Sequence, residues 1–198
     1  MALSTRRTRR WTRREYDRLV DAGIFRPGER LELLAGDLVV REPQGSFHAT
    51  AIGRAEEALR ACFGTGWVVR VQMPIALDDE SEPEPDLAVV RGSLADFELA
   101  HPSTAVLIVE VADTSLADDR RDKSSLYARA GVPEYWIVNL VERVLEVHRE
   151  PRPDPTVPLR AGYDAVQSWA PGAVVSPLAR PESHIHIADL FPRATYPR

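Results

Sequence analysis

The sequence predicts an α/β fold, and three features point there. The run 104–111 is apolar on both faces, as in a central strand covered from both sides. Helical stripes, with apolar residues three and four apart, flank it at 46–63 and 116–130. Short aliphatic runs bounded by glycine and proline occupy much of the remainder.

Along the chain, Thr12 is placed to cap a first helix, Arg13–Asp21, which Gly23 would end. Leu31-Glu32-Leu33-Leu34 and Leu38-Val39-Val40 flank Ala35-Gly36-Asp37, the pattern of a β-hairpin around a glycine turn. Ser46 would cap a second helix to about Phe63, with Ile52, Ala55, Leu59 and Phe63 inward and Gly64 and Gly66 stopping it. Residues 67–71 and 74–77 read as extended, and Pro85 introduces a short buried strand at 86–90. A connector at 92–101 leads to the central strand, and a helix follows at 118–130, closed by Gly131 with Pro133 beyond. Two strands, 134–139 and 144–148, share a polar turn. The proline-rich stretch 151–158 reads as a surface loop before a strand at 163–169. Short strands at 174–175 and 184–187, then a turn at 188–191, follow; there is no internal repeat.

With 198 residues, 44% hydrophobic and 28% charged, the composition is globular rather than disordered. No apolar run approaches the ~20 residues of a membrane span. The basic start lacks the apolar stretch of a secretory signal. The single cysteine, Cys62, excludes an internal disulfide framework and a Cys-based zinc cluster, so a reduced, cytoplasmic protein is expected. A net charge of −5 argues against a purely electrostatic nucleic-acid binder. The charge is uneven, however. Arg6, Arg7, Arg9, Arg10, Arg13 and Arg14 crowd the start, whereas Asp78, Asp79, Glu80, Glu82, Glu84 and Asp86 crowd a later stretch that reads as a solvated loop up to its last member.

Three of the charged residues stand out. On the central strand Thr104, Val106, Ile108 and Glu110 share one face, because strand side chains alternate. A carboxylate ending an apolar face is costly to bury without a partner. Asp86 opens the preceding strand, and antiparallel pairing of the two would bring it beside Glu110. On the next helix Leu116, Asp119 or Arg120, Lys123, Leu126, Tyr127 and Ala130 make one stripe, with Arg121, Asp122, Ser124, Ser125 and Arg129 opposite. Lys123 therefore faces the sheet, where an ammonium needs an anion. Two adjacent carboxylates repel unless a cation lies between them, and hard oxygens suit Mg²⁺ or Mn²⁺. Such a metal polarises a phosphoryl oxygen, and a nearby ammonium steadies developing charge. Asp86, Glu110 and Lys123 thus suit phosphodiester hydrolysis, although a buried ion-pair network without catalysis would use the same residues.

Around this set stand 31–38, His48 at a helix start, Glu84-Pro85-Asp86-Leu87, residues 108–116, Asp119-Arg120, Tyr127-Ala128 and 131–138. In that order the chain resembles the PD-(D/E)XK nuclease superfamily and, more closely, the Uma2-type restriction-endonuclease-like proteins. The resemblance implies a restriction-endonuclease-like α/β core with a central mixed β-sheet flanked by helices. It also implies Mg²⁺- or Mn²⁺-dependent endonuclease chemistry, a nucleic-acid partner (DNA first) and a homodimer. Carried over, Asp86 and Glu110 hold the metal, Lys123 serves the attacking water, and Glu32 is an additional acidic position for metal or water. The superfamily commonly carries its lysine two residues after the glutamate, where this chain has Ala112; the helical Lys123 takes its place. The likeness spans 12–192, leaving 1–11 as a basic, flexible arm and 193–198 as a tail.

Read from its strand alone, Glu32 is an exposed carboxylate opposite Leu31 and Leu33. His48 is an accessory candidate for a phosphate contact or leaving-group assistance, or a plain capping neighbour. Tyr127, one turn after Lys123, either hydrogen-bonds the site or only packs. His184 and His186 share a strand face but have no third ligand nearby in sequence. Tyr135 and Trp136 read as core or interface aromatics. The function expected is a metal-dependent endonuclease. The alternatives are a catalytically silent dimeric binding or regulatory protein that keeps the fold, and a hydrolase of small phosphodiesters.

Overall fold

The structure, a computed structural model, describes residues 8–41 and 43–194. Arg6 and Arg7 of the expected arm, and 195–198 of the expected tail, lie outside the described residues. In chain order come helix α1 (Arg13–Asp21), the hairpin strands β1 (Leu31–Leu34) and β2 (Asp37–Val40), and helix α2 (Ser46–Phe63). Strands β3 (Trp67–Val71), β4 (Leu87–Arg91) and β5 (Leu107–Ala112) follow. A helical run is built from α3 (Leu116–Asp118), a π-helical turn (Asp119–Lys123) and α4 (Ser124–Arg129). Last come β6 (Glu134–Asn139), β7 (Val144–Pro153), β8 (Ala161–Trp169), β9 (Val174–Val175) and β10 (Ile185–His186).

Strands β3 to β8 form one mixed six-stranded sheet in chain order. Every neighbouring pair is antiparallel except β5 and β6, which the helical run connects as parallel strands. All residues of β5 and β6 are buried, which is why both read as nearly continuous apolar runs. Alternation divides β5 between two cores. Leu107, Val109 and Val111 pack with Ala55, Leu59 and Phe63 of α2 and with Ile187 and Phe191 near the C-terminus. Ile108 and Ala112 pack with Leu126, Tyr127, Tyr135 and Ile137 under α4. Burying each such aliphatic side chain contributes about 1.5–3 kcal/mol. Glu110 lies on this second face of β5.

Thr12 caps α1 in a full capping box with Glu15. The chain before it is tied to the β1–β2 hairpin: Trp11 N donates to Gly36 O, and Arg10 Nη1 donates to Ala35 O. Gly36 has φ +85°, and a Cβ there would meet Arg10 Cβ at 2.8 Å, so both its backbone and its neighbour require glycine.

Four expectations change. The cap of α2 is Gly45, with no side-chain bond, and Ser46 is the first helical residue. The sequence pattern cannot separate two adjacent small residues as caps. Strand β7 runs on through Pro151 and Pro153, which pair with Tyr163 and Ala161 of β8. Beyond Arg149 it has no β6 partner, so one side of the strand tolerates missing N–H donors. Ser124 and Ser125, assigned to the outer face of their helix, are buried. The strand β8 covers that side: the Ser125 hydroxyl donates to Ala161 O and accepts from Leu159 N. The acidic stretch is not a solvated loop throughout. Leu33 and Glu82 bridge antiparallel, and Ser81, Glu82 and Asp86 are buried against β1 and β4.

Candidate active site

Strands β4 and β5 pair through Leu87 and Val109, so Asp86 and Glu110 occupy the next facing positions at the end of that ladder. Asp86 N donates to Glu110 Oε2 at 3.3 Å, and Val111 N donates to Asp86 Oδ2 at 2.9 Å. Arg41 Nη2 and Gln72 Nε2 donate to Asp86 Oδ1 at 3.1 and 3.3 Å. His48 Nε2 stands 3.4 Å from Asp86 Oδ2, and its Nδ1 3.8 Å from Asp113 Oδ2. Burial opposes the charge on Asp86, but His48, the Val111 N–H and Lys123 outweigh it and hold the pKa down to about 2. Burial likewise opposes charge on His48; its contact with Asp86 and the charges of Asp86, Asp113 and Glu110 raise its pKa above the ordinary value.

Lys123 ends the π turn with its side chain only 14% exposed. Its Nζ donates to Glu110 Oε1 at 3.0 Å and lies 3.6 Å from Asp119 Oδ1 and 3.9 Å from Glu32 Oε1. The Tyr127 hydroxyl donates to the same Glu110 oxygen at 2.6 Å. Burial would lower the Lys123 pKa, but Glu110, Glu32, Asp119 and Asp86 raise it, so the ammonium stays charged. Burial pushes the Glu110 carboxyl up, with Lys123 pulling the other way. Tyr127 stays a hydroxyl, because burial first and then Glu110 push its pKa well up.

Glu32 is 3% exposed, not a surface carboxylate: Glu84 N donates to its Oε2 at 3.0 Å because the 81–85 segment runs against β1. All six sequence-proposed residues therefore gather here. Glu32, His48, Asp86, Glu110 and Lys123 line one cleft of about 800 Å³, with Tyr127 directly behind Glu110. The alternating histidines stay apart from it; His184 Nδ1 pairs with the Ser176 hydroxyl at 2.9 Å.

Sequence reasoning did not assign Arg41, which holds Asp86, or Asp119, which lies beside Lys123. One available signal was compositional. Of the 25 lysines and arginines in the chain, Lys123 is the one lysine. A chain that uses guanidinium almost everywhere keeps a compact ammonium with rotatable donors only at this cleft.

The donor chemistry fits a hydrated divalent cation. Asp86 and Glu110 offer hard oxygens to one cleft, and Mg²⁺ commonly binds through one or two carboxylates, keeping several waters. Among the described residues, no group of three or more His, Cys, Asp or Glu is arranged to hold a metal. A cation here would rest on those two carboxylates.

Sheet order, helical crossover and clustered acids together define a restriction-endonuclease-like α/β protein. A solved structure titled as a "putative nuclease belonging to DUF820", from Anabaena variabilis, superposes with a TM-score of 0.62 at 14% identity. The match covers 82% of this chain and 90% of that one, so the fold is shared almost throughout. The chain belongs to the Uma2 family, described as "Putative restriction endonuclease", whose model matches residues 13–174. No curated protein matches the chain.

Proposed function

We propose that this protein is a metal-dependent endonuclease that hydrolyses nucleic-acid phosphodiester bonds, with DNA as first substrate. The observation that carries the reading is the chain's single lysine, seated 3.0 Å from a buried glutamate whose strand neighbour is a buried aspartate. Asp86 and Glu110 hold Mg²⁺ or Mn²⁺, and Glu32 adds negative charge beside Lys123. When bound, the cation supplies Lewis acidity toward a phosphoryl oxygen and acidifies water. Lys123 orients the attacking water and steadies charge on the phosphorane. Tyr127 fixes the Glu110 oxygen that faces the ammonium, and Arg41 fixes Asp86. His48, whose pKa is raised by its acidic neighbours, gives a proton to the leaving oxygen in this reading. A homodimer accompanies this reading, and sedimentation equilibrium tests it.

Purified protein incubated with DNA or RNA and Mg²⁺ or Mn²⁺ should cut, and Asp86→Ala should lose that activity. Equal product from both proteins would remove this cleft as its source. A second reading is a catalytically silent binding protein. It is favoured by the ion pairing itself, since Lys123 already neutralises part of the buried acid. Divalent-cation binding that disappears in Asp86→Ala or Glu110→Gln would eliminate it.

A further inference from the structure

The helical run that carries Lys123 is irregular where it meets the cleft. Over Asp119–Lys123 the helix widens to a π turn, and Ser124 N reaches back to Asp119 O. Such single π turns are uncommon and concentrate at functional sites. The turn is held from two directions. The hydroxyl of Tyr135, on β6, donates to the Asp119 carbonyl at 3.2 Å. The hydroxyl of Ser115, just before the run, donates to Asp119 Oδ2 at 2.6 Å. Asp119 is 1% exposed, and its other oxygen, Oδ1, has no hydrogen-bond donor. That oxygen lies 3.6 Å from Lys123 Nζ, and Asp119 is one of the residues around the cleft. A buried carboxylate oxygen without a donor is costly, so its position needs a compensating role.

Glu110 cannot serve fully as both a cation ligand and the main partner of Lys123. Its Oε1 already accepts from Lys123 and Tyr127, and its Oε2 from Asp86 N. Any cation that draws on Glu110 weakens its hold on the ammonium. Glu32 is farther away, at 3.9 Å, and is tied to Glu84 N. Asp119 is the carboxylate with an oxygen to spare.

We propose that Asp119 is a positioning residue for Lys123: the π turn aims its donor-free oxygen at the ammonium, which it keeps at the cleft wall when a cation engages Glu110. The inference rests on the nuclease reading for its purpose, but not for its test. The chain has one lysine, so lysine-selective ¹⁵N labelling yields a single side-chain ammonium signal, that of Lys123. Its proton exchange with water can be followed with and without Mg²⁺ in the wild type, Asp119→Asn and Ser115→Ala.

In Asp119→Asn, Mg²⁺ should speed exchange about tenfold, equivalent to about 1.4 kcal/mol, while the wild type changes little. Ser115→Ala, which frees Asp119 Oδ2 without removing the carboxylate, should show a smaller effect in the same direction and guards against a fold defect. Calorimetric Mg²⁺ affinity should be unchanged in both variants, and in DNA cleavage Asp119→Asn should lower kcat with KM held. Equal exchange in wild type and Asp119→Asn overturns the proposal. So does a tenfold loss of Mg²⁺ affinity, which would make Asp119 a ligand instead. If no protein cuts nucleic acid, the nuclease reading fails while the ammonium measurement still decides the role of Asp119.

Discussion

Replacing Lys123 by methionine keeps the unbranched apolar stem of the side chain but leaves Glu110, Glu32 and Asp119 without their shared cation. Breaking a buried ion pair from one side costs about 3–5 kcal/mol. Burial already raises the pKa of Glu110 and Asp119, and Lys123 opposes that rise. Without it their folded pKa values climb further above the unfolded ones, so the penalty grows as pH rises. Urea denaturation of Lys123→Met should therefore show a larger loss at pH 8 than at pH 5. An equal loss at both would mean the carboxylates do not depend on the ammonium. Glu82 obeys the same sign. Burial first, then Asp17 and Glu84, raise its pKa to about 7. Its contribution is complete below the unfolded value, about 4.3, and is lost as pH climbs through 7. Glu82→Gln should flatten the fall in stability across that window; a variant whose fall matches the wild type would exclude Glu82 as the cause.

Between β6 and β7 another buried acid organises a whole segment. Glu134 is fully buried; its Oε1 accepts from Trp136 Nε1 and from Arg149 Nε and Nη2, and its Oε2 accepts from Leu178 N. Arg149 also donates to Ser176 O at 2.7 Å. This carboxylate therefore pins the chain around 176–178 against the sheet. Glu134→Ala should destabilise the protein by about 3–5 kcal/mol, because Arg149 keeps its charge and loses its partner. Hydrogen exchange should quicken most at 174–191, and uniform protection across that segment would count against the pin. Elements also show what the sequence made legible. The facing of Asp86 and Glu110 follows from alternation plus antiparallel pairing, and the inward stripe of Lys123 from helical spacing. Asp119 needed more, because both regular periodicity and the competing Arg120 obscure which residue a π turn presents. Arg41 reaches Asp86 from a loop 45 residues away, a contact no local pattern encodes. Glu32 and Glu82 are buried where two distant segments bridge, so the strand of one and the loop of the other, taken alone, read as solvated.

For the whole molecule, net charge and cleft charge pull in one direction. The chain carries −5, and Asp37, Asp113, Asp118 and Asp122 line the cleft alongside the acids already described. Arg10, Arg41 and Lys123 do not balance them. A phosphate backbone entering this cleft meets repulsion until cations accompany it. Fluorescence anisotropy with labelled DNA should therefore show weak binding in chelator and at least tenfold tighter binding with Mg²⁺ or Ca²⁺. Binding of equal strength in chelator would place the nucleic-acid surface elsewhere.

The single parallel pairing in the sheet has a consequence for how the molecule assembles. Strands β3 to β5 and β6 to β8 are two antiparallel meanders, each able to form from neighbouring chain, and within the sheet they are hydrogen-bonded to each other along β5 and β6. Asp86 and Glu110 belong to the first meander, Lys123 to the crossover, and the Tyr135 hydroxyl that steadies the crossover to the second. Formation of that seam demands long-range closure, so it should lag behind the hairpins during folding. The cluster would then be completed only when the halves dock, leaving folding intermediates with separated acids and a solvent-facing amine.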